Sequence, residues 1–133
     1  MKELIKLIKQ ARFVWICGNG GSSATAEHLT SDLFSKGIKA ICLNSNTSIV
    51  TMLGNDFKYD DIFWRQLEVY ATSEDVLITI SCSGTSPSIV SALGWAKANG
   101  VKTYEFETFS KNRDYEELEN KHLKFAHQIK RLL

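Results

Sequence analysis

The stretch Val76-Leu77-Ile78-Thr79-Ile80-Ser81-Cys82-Ser83-Gly84-Thr85-Ser86 decides the fold. Its first five residues are β-forming and mostly apolar, and a segment rich in hydroxyl groups follows directly. Pro87 comes next, at a position that the first turn of a helix accepts. A continuous apolar run is typical of a strand buried on both faces of a parallel sheet. The stretch therefore predicts a strand, a turn and the start of a helix.

The same pattern occurs earlier in the chain. Residues 13–17 form an apolar run, Gly18-Asn19-Gly20-Gly21 forms a turn, and Ser22-Ser23 is expected to cap a helix from about Ala24 to Ser35. The remaining predicted strands are a second buried strand at 40–43 and a strand at 101–107. The other predicted helices are residues 2–11, a short helix that ends near 56, a helix from Asp60 or Asp61 to Tyr70, a helix at 87–99 and a helix from about 114 to 133. Strands that alternate with helices predict one α/β domain over 1–133, a parallel sheet of about four strands with helices on both faces.

Composition argues against several classes of protein. The net charge is +1 and the basic residues are scattered, so no basic face for nucleic acid is expected. No apolar run approaches the ~20 residues of a membrane span, and the N-terminus lacks the apolar core of a signal peptide. Three cysteines without CxxC spacing indicate neither a disulfide framework nor a cysteine zinc site. We expect a cytoplasmic protein that binds neither nucleic acid nor membrane.

Two loops are candidates for binding an anion. Residues 81–86 offer hydroxyls and free backbone N–H groups at a helix N-terminus, which favours a phosphate. The segment is neither GxxxxGK[ST] nor GxGxxG, so a small phosphate monoester fits better than a nucleotide. In residues 18–22, three glycines let the backbone approach a ligand closely. An ordinary capped turn remains the alternative for each loop taken alone.

Histidines and carboxylates on two helices are candidates for metal binding or proton transfer. His28 and Asp32 are four residues apart and share a helix face. Glu119, His122 and His127 lie on the last predicted helix. From these residues alone, a solvated helix face or a histidine with its hydrogen bonds already satisfied remains the simpler interpretation.

Four short motifs in this order resemble those of the phosphoheptose isomerases, which are sugar-isomerase (SIS) proteins. They are Cys17–Ser22, Gly54–Phe57, Asp61–Phe63 and Ile80–Ser86, which the family writes as CGNGGS, GNDFG, DIF and ISTSGNS. The segment Glu119–His127 is similar to the family's closing helix, QEIHIKVIH.

The resemblance implies a flavodoxin-like SIS fold and a homo-oligomer, a tetramer or dimer. It also implies a phosphosugar isomerase that converts sedoheptulose 7-phosphate to D-glycero-D-manno-heptose 7-phosphate through an enediol. In that family a glutamate and a histidine supply acid and base, and many members hold Zn²⁺.

Residue roles follow from the resemblance by position. It implies phosphate contacts at Ser81, Cys82, Ser83 and Ser86, further substrate contacts at Asn19, Gly20, Gly21, Ser22, Asp56 and Glu119, an acid/base pair of Asp32 and His127, and a zinc site of His28, Asp32, Glu119 and His127.

The chain departs from the family pattern at several of these positions. Asp32 replaces a glutamate, and a displacement of about 1 Å at a proton acceptor can cost on the order of 100-fold in rate. Glu119 replaces a glutamine and Cys82 a threonine, and the segment of the family's last strand is absent after Phe106. A non-catalytic SIS module, which binds a phosphosugar as a signal or binds another protein, is therefore the alternative function.

Overall fold

The computed structural model of the protein describes residues 1–109 and 113–133. Its elements are α1 Lys2–Gln10, β1 Val14–Gly18, α2 Gly21–Phe34, β2 Ala40–Cys42, α3 Thr47–Asp56, a 3-10 turn Tyr59–Asp61, α4 Trp64–Tyr70, β3 Val76–Ile80, α5 Pro87–Ala98, β4 Lys102–Glu105 and α6 Tyr115–Leu132.

The four strands form one parallel sheet in the order β2-β1-β3-β4. The chain leaves β1 for β2 on one side and later enters β3 on the other side of β1. The carboxyl ends of β1 and β3 therefore mark the switch point, where open α/β sheets bind ligands. The predicted α/β fold with four parallel strands is confirmed.

The sheet separates two apolar cores because successive side chains of a strand point to opposite faces. In β1, Val14 and Ile16 join the core beneath α1, α2 and α6, whereas Trp15 and Cys17 join the core beneath α3, α4 and α5. Helices thus cover both faces, as predicted. None of the helices in the described residues combines the length and the apolar character needed to cross a membrane.

Two predicted helix starts are wrong. α2 begins at Gly21, and Ser22 is buried within its first turn instead of capping it. Asp61 does not cap α4, which begins at Trp64. It lies in the 3-10 turn, where its carboxylate accepts hydrogen bonds from Trp64 Nε1 (2.9 Å) and Arg65 Nε (3.3 Å). Asp61 thus bonds to the side chains of the next turn instead of capping it.

The prediction that 40–43 is a buried strand is wrong at its first two residues. β2 lies at the sheet edge, and Ile41 remains 41% exposed. Only its last residue, Cys42, is buried. An apolar run therefore does not distinguish an edge strand from a central one.

Asp75 anchors the amino ends of β1 and β3. Its buried carboxylate accepts hydrogen bonds from Arg12 Nε (3.0 Å) and Nη2 (2.7 Å) and from Trp15 Nε1 (2.9 Å). The backbone N–H groups of Phe13 and Thr72 also donate to it. Burial alone raises the pKa of Asp75, but the hydrogen bonds from Arg12 and Trp15 outweigh it and hold that pKa below its usual range.

Candidate active site

The two candidate loops meet at the switch point of the sheet. Gly18 ends β1, and a Cβ there would lie 2.6 Å from the Ser22 carbonyl oxygen and 2.8 Å from that of Ile80. Since no side chain fits that space, glycine allows the loops after β1 and β3 to approach each other. The Asn44 side chain fixes this position from the turn after β2, because its Oδ1 accepts from Gly18 N (3.2 Å) and its Nδ2 donates to Gly18 O (2.7 Å).

Between the loops lies a pocket of about 300 Å³. It contains all but one of the residues predicted to bind substrate, and Tyr115 in addition. Its lining consists of Asn19, Gly20, Gly21, Ser22, Ser81, Cys82, Ser83, Ser86, Tyr115 and Glu119.

The loop after β3 presents hydroxyl groups to this pocket. Ser81 Oγ accepts from Gly84 N (3.1 Å), and Ser83 Oγ accepts from Thr85 N (3.2 Å). Each hydroxyl uses an oxygen lone pair in these bonds, so its O–H remains able to donate. Ser86 is the N-cap residue of α5 and makes no side-chain cap bond. Free hydroxyl donors beside a helix N-terminus suit an anion with several oxygens.

Cys82 also faces the pocket and is a neutral thiol. Burial raises its pKa first, and the negative charge of Glu119 raises it further, against a weaker opposing effect of a hydrogen bond with Ser22. A thiol is a weak donor. Cys82 therefore contributes to the shape of the pocket more than it contributes hydrogen bonds.

Glu119 places a carboxylate in the pocket from α6. Gly21 lies directly against it, because a Cβ at Gly21 would overlap the Glu119 side chain. The structure thus places Glu119 in the pocket between the loops and does not bring it to the histidine cluster described below.

Asp56 is the predicted substrate residue that the structure does not bring to this pocket. It is the last residue of α3 and is exposed, and its carboxylate accepts a hydrogen bond from Asn55 Nδ2 (3.0 Å). None of the described residues that line the pocket makes a side-chain hydrogen bond to Asp56.

A hydrogen-bonded chain that the sequence did not predict orients Asn19. Tyr59 Oη donates to Asn19 Oδ1 (2.6 Å), and Asn19 Nδ2 donates to Ser88 Oγ (3.0 Å). The amide is therefore held from both ends at the pocket mouth. The only sequence signal for Tyr59 was its place between the second and third motifs.

His28, Asp32 and His127 form a second group of polar side chains. Asp32 Oδ2 lies 3.4 Å from His28 Nε2 and 3.7 Å from His127 Nδ1. The three ligand atoms are within 4.8 Å of one another. Packing of α2 against α6 thus brings together three of the four predicted metal ligands and both members of the predicted acid/base pair.

The donor atoms of this cluster fit a zinc ion. Asp32 Oδ2 and His28 Nε2 are buried and have no hydrogen-bond partner within residues 1–109 and 113–133, since their 3.4 Å separation lacks hydrogen-bond alignment. Ligand atoms at zinc bonds of about 2.0–2.1 Å in a tetrahedron are about 3.4 Å apart. One such pair, with His127 Nδ1 3.7 Å from Asp32 Oδ2, indicates a place for a cation.

Lys130 joins the cluster and was not predicted. Its Nζ donates to Asp32 Oδ1 at 2.6 Å. Lys130 is three residues after His127, so helical spacing places both on one face of α6. That spacing was visible in the sequence, but the approach of this face to α2 was not.

The pocket and the cluster lie along the same pair of helices. Gly21 of α2 contacts Glu119 of α6, and Asp32 contacts Lys130, so the two helices run in the same direction. Seven residues separate Gly21 from His28, which corresponds to about 10 Å at ~1.5 Å per residue.

Comparison with known proteins agrees with this architecture. The sequence model of the SIS domain family matches residues 2–106. A phosphoheptose isomerase of Clostridium acetobutylicum is 41% identical over 109 residues, which are 77% of this chain and 56% of the relative. A phosphoheptose isomerase of Bradyrhizobium is 39% identical over 110 residues, which are 78% of this chain and 56% of the relative. The chain thus spans 56% of the length of these curated relatives.

A solved structure extends the likeness to nearly the whole chain. The phosphoheptose isomerase of Neisseria gonorrhoeae superimposes with a TM-score of 0.88 over 98% of this chain and 80% of that one, at 23% identity. At this identity the superposition bears on the fold, and the matched sequence model bears on the family. The chain belongs to the SIS domain family.

Proposed function

We propose that the protein is an aldose–ketose isomerase acting on a sugar phosphate, namely the interconversion of sedoheptulose 7-phosphate and D-glycero-D-manno-heptose 7-phosphate. The observation that carries this proposal is the pairing of a hydroxyl-lined anion pocket with a His/Asp/His cluster. The similarity to phosphoheptose isomerases supports the choice of reaction.

The spacing of the two sites favours a long sugar. The pocket binds the phosphate, and the cluster lies about 10 Å further along α2 at ~1.5 Å per residue. With C–C bonds of about 1.5 Å, an extended seven-carbon sugar phosphate spans roughly 10 Å from phosphorus to C1. A phosphate bound at the Gly21 end of the pocket would place the C1–C2 end of a seven-carbon substrate beside the cluster, whereas a five-carbon substrate would fall short.

Asp32 and His127 share the acid and base roles of the reaction. One removes the proton from the carbon next to the carbonyl, and the enediol is reprotonated on the neighbouring carbon. The two side chains lie together in the cluster, with Asp32 Oδ2 3.7 Å from His127 Nδ1. Asn19, held by Tyr59 and Ser88, binds sugar hydroxyls at the pocket end of the substrate.

Zn²⁺ is the proposed cofactor, held by His28, Asp32 and His127. Three protein ligands leave a fourth position open, as is usual in catalytic zinc sites. When bound, the ion supplies a Lewis acid that polarises the carbonyl and hydroxyl oxygens of the substrate. Glu119 remains a substrate contact in this proposal, since α6 places it about 12 Å from His127 at ~1.5 Å per residue.

Proton exchange tests the proposed reaction. Purified protein with zinc is incubated in D₂O with sugar phosphates of five, six and seven carbons, and deuterium at C1 and C2 is followed by NMR. We expect exchange with sedoheptulose 7-phosphate and at least tenfold slower exchange with the shorter sugars. Exchange that is absent with every sugar contradicts the isomerase.

A non-catalytic phosphosugar-binding module is the second candidate. The observation that favours it is the ion pair between Asp32 and Lys130, which engages the proposed base or acid. In that case sedoheptulose 7-phosphate binds in the pocket without any deuterium incorporation. Titration calorimetry together with the NMR assay distinguishes the two functions.

We also propose a cytoplasmic homo-oligomer, a dimer or tetramer. β4 is an edge strand, and its unpaired backbone groups invite pairing or cover. Sedimentation at micromolar concentration tests this directly. A clean monomer contradicts it.

A further inference from the structure

Lys130 is the counter-charge of a nearly buried carboxylate. Its Nζ is 2.6 Å from Asp32 Oδ1, and the Asp32 side chain is only 5% exposed. Burying an ionised carboxylate is costly unless it is paired and hydrogen-bonded. Lys130 supplies both the charge and the bond. The Lys130 ammonium group thus neutralises the negative charge of the Asp32 carboxylate.

Lys130 contacts only one oxygen of the Asp32 carboxylate, Oδ1, and does not contact Oδ2. Oδ2 faces His28 Nε2 and His127 Nδ1 and makes no hydrogen bond to any described residue. A dication on these three donors would therefore bind Oδ2 while Lys130 remains on Oδ1. With metal–oxygen bonds of about 2.0–2.2 Å, the ammonium group would then lie roughly 5 Å from the ion.

We propose that Lys130 is an intramolecular competitor of the metal, a positioning residue that holds Asp32 in place and lowers the affinity of the His28–Asp32–His127 cluster for zinc. The inference rests on the metal site of the proposed function. Two physical effects act in the same direction. The hydrogen bond draws negative charge away from the ligand carboxylate, and the ammonium group repels the dication.

Charge repulsion sets the expected size of the effect. A unit charge and a double charge 5 Å apart, even in a water-like dielectric, change a binding constant on the order of tenfold. Groups that strengthen metal sites from outside usually accept a hydrogen bond from a ligating histidine or support a ligating carboxylate. Lys130 also supports the carboxylate in this way, but its positive charge opposes the dication more strongly, so its removal should strengthen binding. Because its side chain is 40% exposed, it can be replaced without opening a cavity.

Zinc affinity of the purified full chain, measured by competition with a chromogenic chelator, tests the proposal. Lys130→Met should lower the zinc Kd at least tenfold, and Lys130→Gln should do the same as a polar neutral variant. Lys130→Arg keeps the cation and should remain within about threefold of the wild type. Lys124→Met removes the same charge from an exposed site on α6 and should leave the Kd unchanged.

Each other result overturns the proposal. A Kd that is unchanged or higher in both neutral variants means that Lys130 does not compete. An equal gain in Lys124→Met means that net charge is responsible. If neither the wild type nor Lys130→Met binds zinc at micromolar concentration, the metal site itself is absent. Binding of sedoheptulose 7-phosphate to the same preparations then shows separately whether the phosphate pocket stands.

Discussion

The imidazole rings of His28 and His127 lie edge to face with their centroids 4.8 Å apart, although one belongs to α2 and the other to α6. A single zinc ion can bridge two histidines only when they are this close. The relationship occurs within one subunit. The proposed metal site therefore does not depend on a partner chain, whatever the oligomeric state.

Removing His127 should separate metal binding from phosphate binding. His127→Ala takes one of three proposed ligands and half of the acid/base pair, so we expect loss of zinc by elemental analysis and loss of proton exchange. The phosphate pocket contains none of the three cluster residues. The Kd for sedoheptulose 7-phosphate should therefore change less than threefold. Full exchange activity in this variant contradicts the assigned role.

The hydroxyls of the loop after β3 should carry phosphate affinity. In the double variant Ser83→Ala/Ser86→Ala, we expect the Kd of a sugar phosphate to rise at least fivefold, since two charge-assisted hydrogen bonds are lost. Ser91→Ala, on the same helix but outside the pocket lining, is the matched control. An unchanged Kd in calorimetry rules out this loop as the phosphate site.

Lengthening Asp32 should preserve or improve turnover. Asp32→Glu restores the reach of the family glutamate, and the added methylene shifts the carboxylate by about 1 Å, a distance that can be worth on the order of 100-fold in rate. We expect kcat equal to or above that of the wild type at saturating zinc. Asp60→Glu, which adds the same group away from the cluster, should be neutral. A tenfold lower kcat with zinc still bound shows that the site is built for aspartate.

Asp75 should make stability depend on acid pH. Its pKa is lower in the folded protein than in the unfolded chain, so its contribution is present above the usual aspartate pKa and is lost as pH falls through the folded value. Asp75→Asn should lower the free energy of unfolding by about 3 kcal/mol at pH 7. It should also flatten the stability profile below pH 4. Urea unfolding from pH 2 to 7, with Glu74→Gln as control, measures both effects.

The thiols should be unreactive in the folded protein. Cys17, Cys42 and Cys82 are buried, and burial raises the pKa of each. Because the thiolate is the reacting species, we expect less than one thiol per chain to react with Ellman's reagent within minutes at pH 7.5. All three should react in guanidinium chloride. Rapid modification of the native protein contradicts the burial of these residues.

The strands, their order along the chain and the loops that carry the pocket were predictable from the sequence. Apolar runs such as Val76–Ile80 and the glycines and hydroxyls after them are local signals, and parallel strands place their carboxyl ends at one edge. The motif resemblance supplied the nine pocket residues that the structure brings together, Glu119 among them. These inferences needed no knowledge of which helices pack together.

Tertiary packing alone decided which side chains meet across elements. Helical spacing shows that His28 and Asp32 share a face, and that His127 and Lys130 share another, but not that the two faces touch. Their contact depends on how α2 and α6 pack against the same face of the sheet. For the same reason the sequence did not reveal the bond from Tyr59 to Asn19, the exposed position of Asp56 or the ion pair of Lys130 with Asp32. Such contacts join residues far apart in the chain, and their geometry is set by the shared core and not by local preference.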